Sequence, residues 1–398
     1  MRSVSWREPS LASPLESMRA LSIHRFLFRF ALGGANVFAW VFVFQYFYLV
    51  EPDIIHGLAR TALLYALSQT ITCLLSPYTA RLLRRGARRV LLIATIMAAS
   101  SFVILGATFE GFWGGAYAST ALVVFACVLG LYRALYWIPY EIEAAATGKA
   151  KGSVFAEFPI ALAPLFGAGC IVVLPYGAVW LLYVGAAFIV LAALPVSYLR
   201  DVHEGFSWGY RETFRQLIDP ANRPIVGRSV LEGIAGAALL LFWPLAVFLF
   251  SGWSYGMLGA VLSITFVVAV LARSFVRKGI RKVGLHSSDL VNVVLAVSPW
   301  VFRVVVGTPL GAVFIDSYFY TTTPRRIGLD PLTFEQTADA GSYIDEYTAL
   351  KEMGLALGRI ALCVIGTLAA LLISLPAAFT VVFLCAAAAS AVIALRPR

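Results

Sequence analysis

The sequence predicts an all-α integral membrane protein with twelve transmembrane helices in two pseudo-symmetric six-helix bundles. Three observations carry this. Of the 398 residues, 60% are hydrophobic and 13% charged, with a mean hydropathy of +0.84. Soluble domains hold about 45–50% and about 25%, so a water-soluble core has no room for this apolar surface. The apolar residues fall in repeated runs of about 20, the length at which a helix crosses a hydrocarbon layer of roughly 30 Å. Finally, the basic stretch Arg84-Arg85-Gly86-Ala87-Arg88-Arg89-Val90 returns 193 positions later, near half the chain length, as Arg277-Lys278-Gly279-Ile280-Arg281-Lys282-Val283. A fixed offset of this size marks a tandem repeat.

Two weaker pairings keep the same order. The stretch from Arg29 to Gly34 matches Arg228 to Gly233 in Arg, Leu and the last Gly at offset 199, and Glu157 to Ala163 matches Glu352 to Gly358 in Glu and Ala-Leu at offset 195. Any one of them is worthless in an Ala/Leu-rich chain; three in order are not.

Taken in order, the chain opens with a segment over 1–25 that holds Pro9 and Pro14 and an amphipathic stretch from Leu15. The first bundle, 26–198, has spans at 26–49, 58–80, 90–109, 114–138, 153–174 and 178–198. A linker follows over 199–226, in which Phe206, Tyr210, Phe214 and Leu217 recur at helical spacing near Trp208, Arg211 and Arg215, as in a helix lying in the membrane interface. The second bundle, 227–398, has spans at 228–250, 255–275, 287–306, 308–324, 353–374 and 377–395. Between its fourth and fifth spans lies an acidic segment with Asp330, Glu335, Asp339, Asp345 and Glu346; it lacks compact ligand spacing and reads as a solvated loop, not a metal site.

Charge placement gives the orientation. The N-terminal segment, the even-to-odd loops and the C-terminus hold 27 of the 31 Lys and Arg, while the opposite loops hold Glu51, Asp53 and Glu110. The positive-inside rule then puts both termini in the cytoplasm. The net charge of +10 is loop charge without an aromatic-interleaved basic face, which excludes nucleic acid as the partner. Cys73, Cys127, Cys170, Cys363 and Cys385 fall in or at the ends of apolar runs without Cys-x-x-Cys spacing and read as small core residues. The first apolar run is too long for a cleavable signal peptide, so the first helix is retained.

Twelve spans in two parallel halves, with a basic Gly-containing turn after the second helix of each, resemble the major facilitator superfamily over essentially the whole chain. That family carries a signature of the form Asp-Arg-x-Gly-x-Arg-Arg between helices 2 and 3, which Leu83 to Arg89 fits except at the acid; Val276 stands at the equivalent place in the second copy. Its fourth-helix Arg is matched by Arg133 in Gly130-Leu131-Tyr132-Arg133, and its fifth-helix Gly/Pro motif by Ala163-Pro164-Leu165-Phe166-Gly167-Ala168-Gly169. The resemblance implies a monomeric transporter whose cytoplasmic gate contains Arg84, Arg85, Gly86, Arg88 and Arg89, with Arg277, Lys278, Gly279, Arg281 and Lys282 in the second copy. In the family the acid latches helix ends, so here Glu141, Glu143 or the acidic loop is expected to replace it. Leu135-Tyr136-Trp137-Ile138-Pro139-Tyr140 and Glu346-Tyr347-Thr348-Ala349-Leu350-Lys351-Glu352 resemble a bacterial, poorly characterised branch, which implies the bacterial inner membrane.

A charge inside a bilayer costs about 2.5–3.5 kcal/mol on insertion scales, which makes each such residue a candidate for function. Asp316 lies at the middle of the tenth span, followed by Tyr318 and Tyr320. It is placed to bind a cationic group, to exchange a proton, or to pair structurally with Arg359 or Arg303. Arg133 and Arg359, expected in the cytoplasmic halves of helices 4 and 11, are placed to hold an anionic group, to pair in turn with Asp316, or to form fixed pairs with Glu157 or Glu141. Glu157, Glu232 and Glu352 lie near the cytoplasmic boundary as gate residues. Asn36, Gln45 and Trp243 are candidates for lining a central cavity, with interhelical polar contacts and ordinary packing as the alternatives. His24, His56, His203 and His286 fall at helix ends or in loops. Small residues in helix 5 (Ala161, Ala163, Gly167, Gly169) and helix 11 (Ala356, Gly358, Ala361) permit close helix approach.

Together these features predict a secondary transporter that moves a small solute by alternating access about a midplane site, with proton coupling through Asp316 as a further hypothesis and the substrate unspecified. The alternative is a non-transporting membrane assembly or sensing protein, which predicts a well-packed interface between halves without a polar cavity. An enzyme is not expected, because nucleophile elbow, paired metal-ligand motif and phosphate loop are all missing from the sequence; nor is a cofactor.

Overall fold

The computed structural model describes residues 14–147, 154–203, 205–282, 289–322 and 344–395, and among them every regular element is helical. The first half contains α1 (Pro14–Val50), α2 (Ile54–Leu82), α3 (Ala87–Glu110), α4 (Gly114–Thr147), α5 (Val154–Val173) and α6 (Gly177–Val196). A short helix, α7 (Tyr210–Ile218), lies in the linker. Then α8 (Arg223–Ala237) and α9 (Trp243–Phe250) are joined by a π-helical turn over Ala238–Phe242 into one span. They are followed by α10 (Tyr255–Lys282), α11 (Asp289–Val305), α12 (Pro309–Thr322), α13 (Ile344–Leu372) and α14 (Leu375–Leu395). Each predicted span falls on one of these helices, and nine stretches among the described residues are long and apolar enough to cross a membrane. The acidic segment through Asp339, Lys149, Lys151, Val283, His286 and Pro9 lie outside the described residues.

Two boundaries and the placement of one histidine differ from expectation. The first helix begins at Pro14 instead of near 26, because Ser17, Ala20, Leu21 and His24 recur at helical spacing and are buried, and a proline fits a helix start, where its missing N–H is no loss. His24 is therefore no end residue: it is fully buried, its Nδ1 donating to the Ala192 carbonyl at 2.6 Å and its Nε2 accepting from the Tyr136 hydroxyl at 2.9 Å. The second basic repeat is also not a turn up to Lys282. Helix α10 continues through it, whereas the first copy breaks into a 3-10 turn over Leu83–Arg85 and a Gly86 with φ of 106°.

The halves meet where α2 packs on α13 and α5 on α10. Within the first half α1 packs on α5 and α6, and within the second α8 packs on α13 and α14. The segments of the two weaker sequence repeats meet within each half, where α1 lies on α5 and α8 on α13. A Cβ at Gly167 would lie 2.5 Å from the Gly34 carbonyl oxygen, one at Gly358 2.0 Å from that of Val230, and one at Gly233 2.2 Å from that of Leu355. Gly169, expected on the same small face, faces open space. Pro164 disturbs the α5 ladder, and the neighbouring Leu165 N–H donates to Ser263 Oγ of α10 at 2.8 Å, a polar contact between halves.

Candidate functional site

A fully buried charged group centres on α12. Asp316, 1% exposed, accepts from Arg303 Nη2 of α11 at 2.7 Å through one oxygen and from Trp243 Nε1 of α9 at 2.8 Å through the other. Arg303 is enclosed by rings: its guanidinium carbon lies 4.4 Å from the Trp300 centroid, 4.7 Å from Phe319 and 5.0 Å from Trp243. Cation–π contact offsets part of the desolvation of a buried guanidinium. Its Nε and Nη1 have no hydrogen-bond partner among the described residues. Pro244 explains how Trp243 arrives here. A proline lacks the N–H of a regular ladder and its ring collides with the carbonyl four residues back, and the chain answers by widening into the π turn just before it. Tyr320 meets Phe266 and Phe319 edge to face, with centroids 5.3 and 5.2 Å away.

Of the two sequence-level partners for Asp316, the structure pairs it with Arg303. Arg359 lies near the middle of α13, not in its cytoplasmic half, and crosses to the other half of the protein: its Nη1 donates to Gln69 Oε1 of α2 at 3.0 Å. The Gln69 amide is held in turn by donating from Nε2 to Ser68 Oγ at 3.2 Å. One helical turn earlier on α2, the Tyr65 ring faces Arg133, whose guanidinium carbon is 5.3 Å from its centroid. Gly130 makes this approach possible, since a Cβ there would meet the Ser68 carbonyl oxygen at 2.3 Å. Arg133, like Arg359, is thus a mid-helix residue. Glu157, expected as a partner for Arg133, is held by Arg29 of α1 through two bonds of 2.9 and 3.0 Å. Glu232 pairs with Arg228 at 3.2 Å. Glu352 is buried on α13, and Asn36 is buried on α1.

At the end carrying the basic turn, the missing acid is supplied by a residue that the sequence did not point to. Asp201 of the linker lies 3.8 Å from both Arg88 and Arg89, and its carboxylate occupies the space above Gly86, where a Cβ would be 2.2 Å from Oδ1. The linker is tied down further by Arg84 Nη2 donating to the Phe206 carbonyl at 2.9 Å and by the Ala87 N–H donating to Val202 at 2.8 Å. Glu143, one of the expected replacements, is buried close to Arg88 and Asp201. The same linker reaches the other half: Ser207 donates from N and Oγ to Glu346 of α13 at 3.2 and 2.6 Å. Phe206 is extended and buried instead of helical. Phe214 and Leu217 of α7 pack against Cys73, Met353 and Ala356, so the expected interfacial helix lies partly on protein. Arg85, Lys278, Gly279 and Lys282 are exposed.

At the opposite end, Gln45 accepts from the Tyr255 hydroxyl, and Trp253 stacks with Phe44 and packs tilted against Tyr48, with centroids 5.6 and 4.6 Å away. Gln45 therefore belongs to an end closure, because it sits at the α1–α10 contact and not at mid-depth. Among the described residues, contacts between the halves close both ends around a buried set of arginines.

No family model matches this sequence, and no curated protein sequence matches it. Solved structures do. The human organic anion transporter MFSD10 aligns with a TM-score of 0.60 at 15% identity, over 97% of this chain and 100% of the other. The nucleoside transporter NupG aligns at 0.59 and 12%, over 95% and 98%, and the E. coli fucose:proton symporter FucP at 0.52 and 10%, over 95% and 98%. At these identities the likeness concerns the fold, and it extends over 95–97% of the chain: the protein has the fold of the major facilitator superfamily of membrane transporters.

Proposed function

We propose that the protein is a secondary transporter that carries a small solute by alternating access, its halves 26–198 and 227–398 rocking about the linker 199–226. The observation that carries this reading is the Arg359–Gln69 hydrogen bond between halves at mid-depth, enclosed by contacts at both ends. A merely structural interface gains nothing from a charge placed there, at a cost of about 2.5–3.5 kcal/mol. The structural relatives, transporters of an organic anion, of nucleosides and of fucose with protons, support the class without choosing the solute. The basic loops favour both termini in the cytoplasm, and the resemblance noted in the sequence favours a monomer in a bacterial inner membrane.

Alternating access has a direct test. Spin labels at exposed Val50 and Ser254 report the outer end, and labels at Arg85 and Tyr347 report the cytoplasmic end. The two distances should shift in opposite senses between conditions; a single unchanging distance at both ends would sink the proposal. Asp316 is the proposed proton-exchanging group, since its protonation would release Arg303 from the ion pair. Substrate-driven proton movement into proteoliposomes should vanish in Asp316→Asn, and its persistence would exclude this role.

A further inference from the structure

We infer that the linker is a clasp: it stays with the first half and grips α13 of the second, holding shut the end that carries the basic turn. This rests on the alternating-access reading above. A tether needs only to reach from α6 to α8, whereas this linker is fastened along its length. Residues 199–206 continue from α6 and complete the start of α3. The Ala87 N–H, one of the donors that a helix N-terminus leaves without an intrahelical acceptor, donates to the Val202 carbonyl at 2.8 Å. Arg88 Nη1 donates to the Leu199 carbonyl at 3.3 Å and Arg84 to that of Phe206, while Asp201 sits over Gly86 beside Arg88 and Arg89. Farther on, the Tyr210 hydroxyl donates to the Leu74 carbonyl of α2 at 3.1 Å.

The grip on the second half follows one face of α13. Glu346 accepts from Ser207 N and Oγ. Ala349 closes the pocket of Phe206, whose other walls, Ala80, Leu83, Ile138 and Ile142, belong to the first half. Met353 and Ala356 pack with Phe214 and Leu217 of α7 and with Cys73 of α2. Glu346, Ala349, Met353 and Ala356 are spaced by three, four and three residues, the interval of a single helix stripe, and Tyr210, Phe214 and Leu217 repeat it on α7. Helix α7 thus lies along the seam between α2 and α13. Cys73, 6% exposed, is one turn from Gln69 toward the end that the linker covers. For α2 to part from α13 there, the stripe must leave Phe206, Ser207, Phe214 and Leu217. Weakening those contacts therefore shifts the population toward the state open at that end, whereas a plain tether would be indifferent to them.

The test uses the purified full-length protein with Cys127, Cys170, Cys363 and Cys385 replaced by Ala, which leaves Cys73 as its one thiol. The rate at which a charged maleimide alkylates Cys73 reports opening of the seam. A second preparation, with Cys73→Ala as well, carries spin labels at Val50 and Ser254 to report the opposite end. Ser207→Ala removes the hydroxyl bond and keeps the backbone one, and should speed alkylation severalfold. Ser207→Glu sets a second carboxylate against Glu346 and should speed it further. In both variants the distance between Val50 and Ser254 should shift to shorter values. Unchanged alkylation in both variants overturns the clasp. So does faster alkylation with the opposite end unmoved, which would mean local fraying over Cys73. If solution conditions still move the two ends in opposite senses while the Ser207 variants do nothing, alternating access stands and the clasp falls. Ends that never move in opposite senses, in any variant or condition, defeat alternating access and the clasp with it.

Discussion

At the scale of single residues, the Asp316 group shows how a buried charge is tolerated. Its carboxylate has one donor per oxygen, and its partner Arg303 is wrapped in three rings. Removing one member of such a pair strands the other, typically at about 3–5 kcal/mol, while replacing both by apolar residues is often nearly neutral. Asp316→Leu should therefore lower the unfolding free energy in detergent by about that amount, and the double variant with Arg303→Met should regain most of it. Additive losses would show that the pair does not act as a unit. Asp316 was legible because a carboxylate in an apolar run has few bland explanations. Its partner was legible only as one of two arginines, since sequence spacing cannot say that α11 delivers Arg303 while α13 turns Arg359 to the other half. Asp201 was not legible at all. An acid in a linker looks like any solvated loop residue until the chain folds back over Gly86.

At the scale of elements, the two basic repeats have the same sequence pattern and opposite local structure. Gly86 has φ of 106° with Asp201 directly above it, while Gly279 is helical and faces open space. Left-handed backbone costs a residue with a Cβ about 1–2 kcal/mol, and a helical Gly in the open gains up to about 1 kcal/mol on replacement by Ala. Gly86→Ala should thus lower the melting temperature and Gly279→Ala leave it equal or higher; a drop of the same size in both would contradict the asymmetry. The helices themselves were readable from their apolar runs. Their ends were not, as α1 shows: His24 is held by Tyr136 of α4 and Ala192 of α6, which no local pattern reveals.

At the scale of the whole molecule, duplication was visible in three short pairings, and the segments of two of them meet within each half: Gly34 with Ala163, and Gly358 with Val230. The contacts that join the halves, Gln69 with Arg359 and Leu165 with Ser263, have no counterpart in the repeat, and so nothing in the sequence announced them. The widened turn over Ala238–Phe242 adds a constraint of another kind. Each residue of a helix turns the chain by about 100°. Exchanging one aliphatic side chain for another among Leu239, Leu240 and Leu241 leaves the phase of the seventh span untouched. Losing a single residue there would rotate everything after it, carrying Trp243 off both Asp316 and Phe383. That stretch of chain is free to change its letters and not their number.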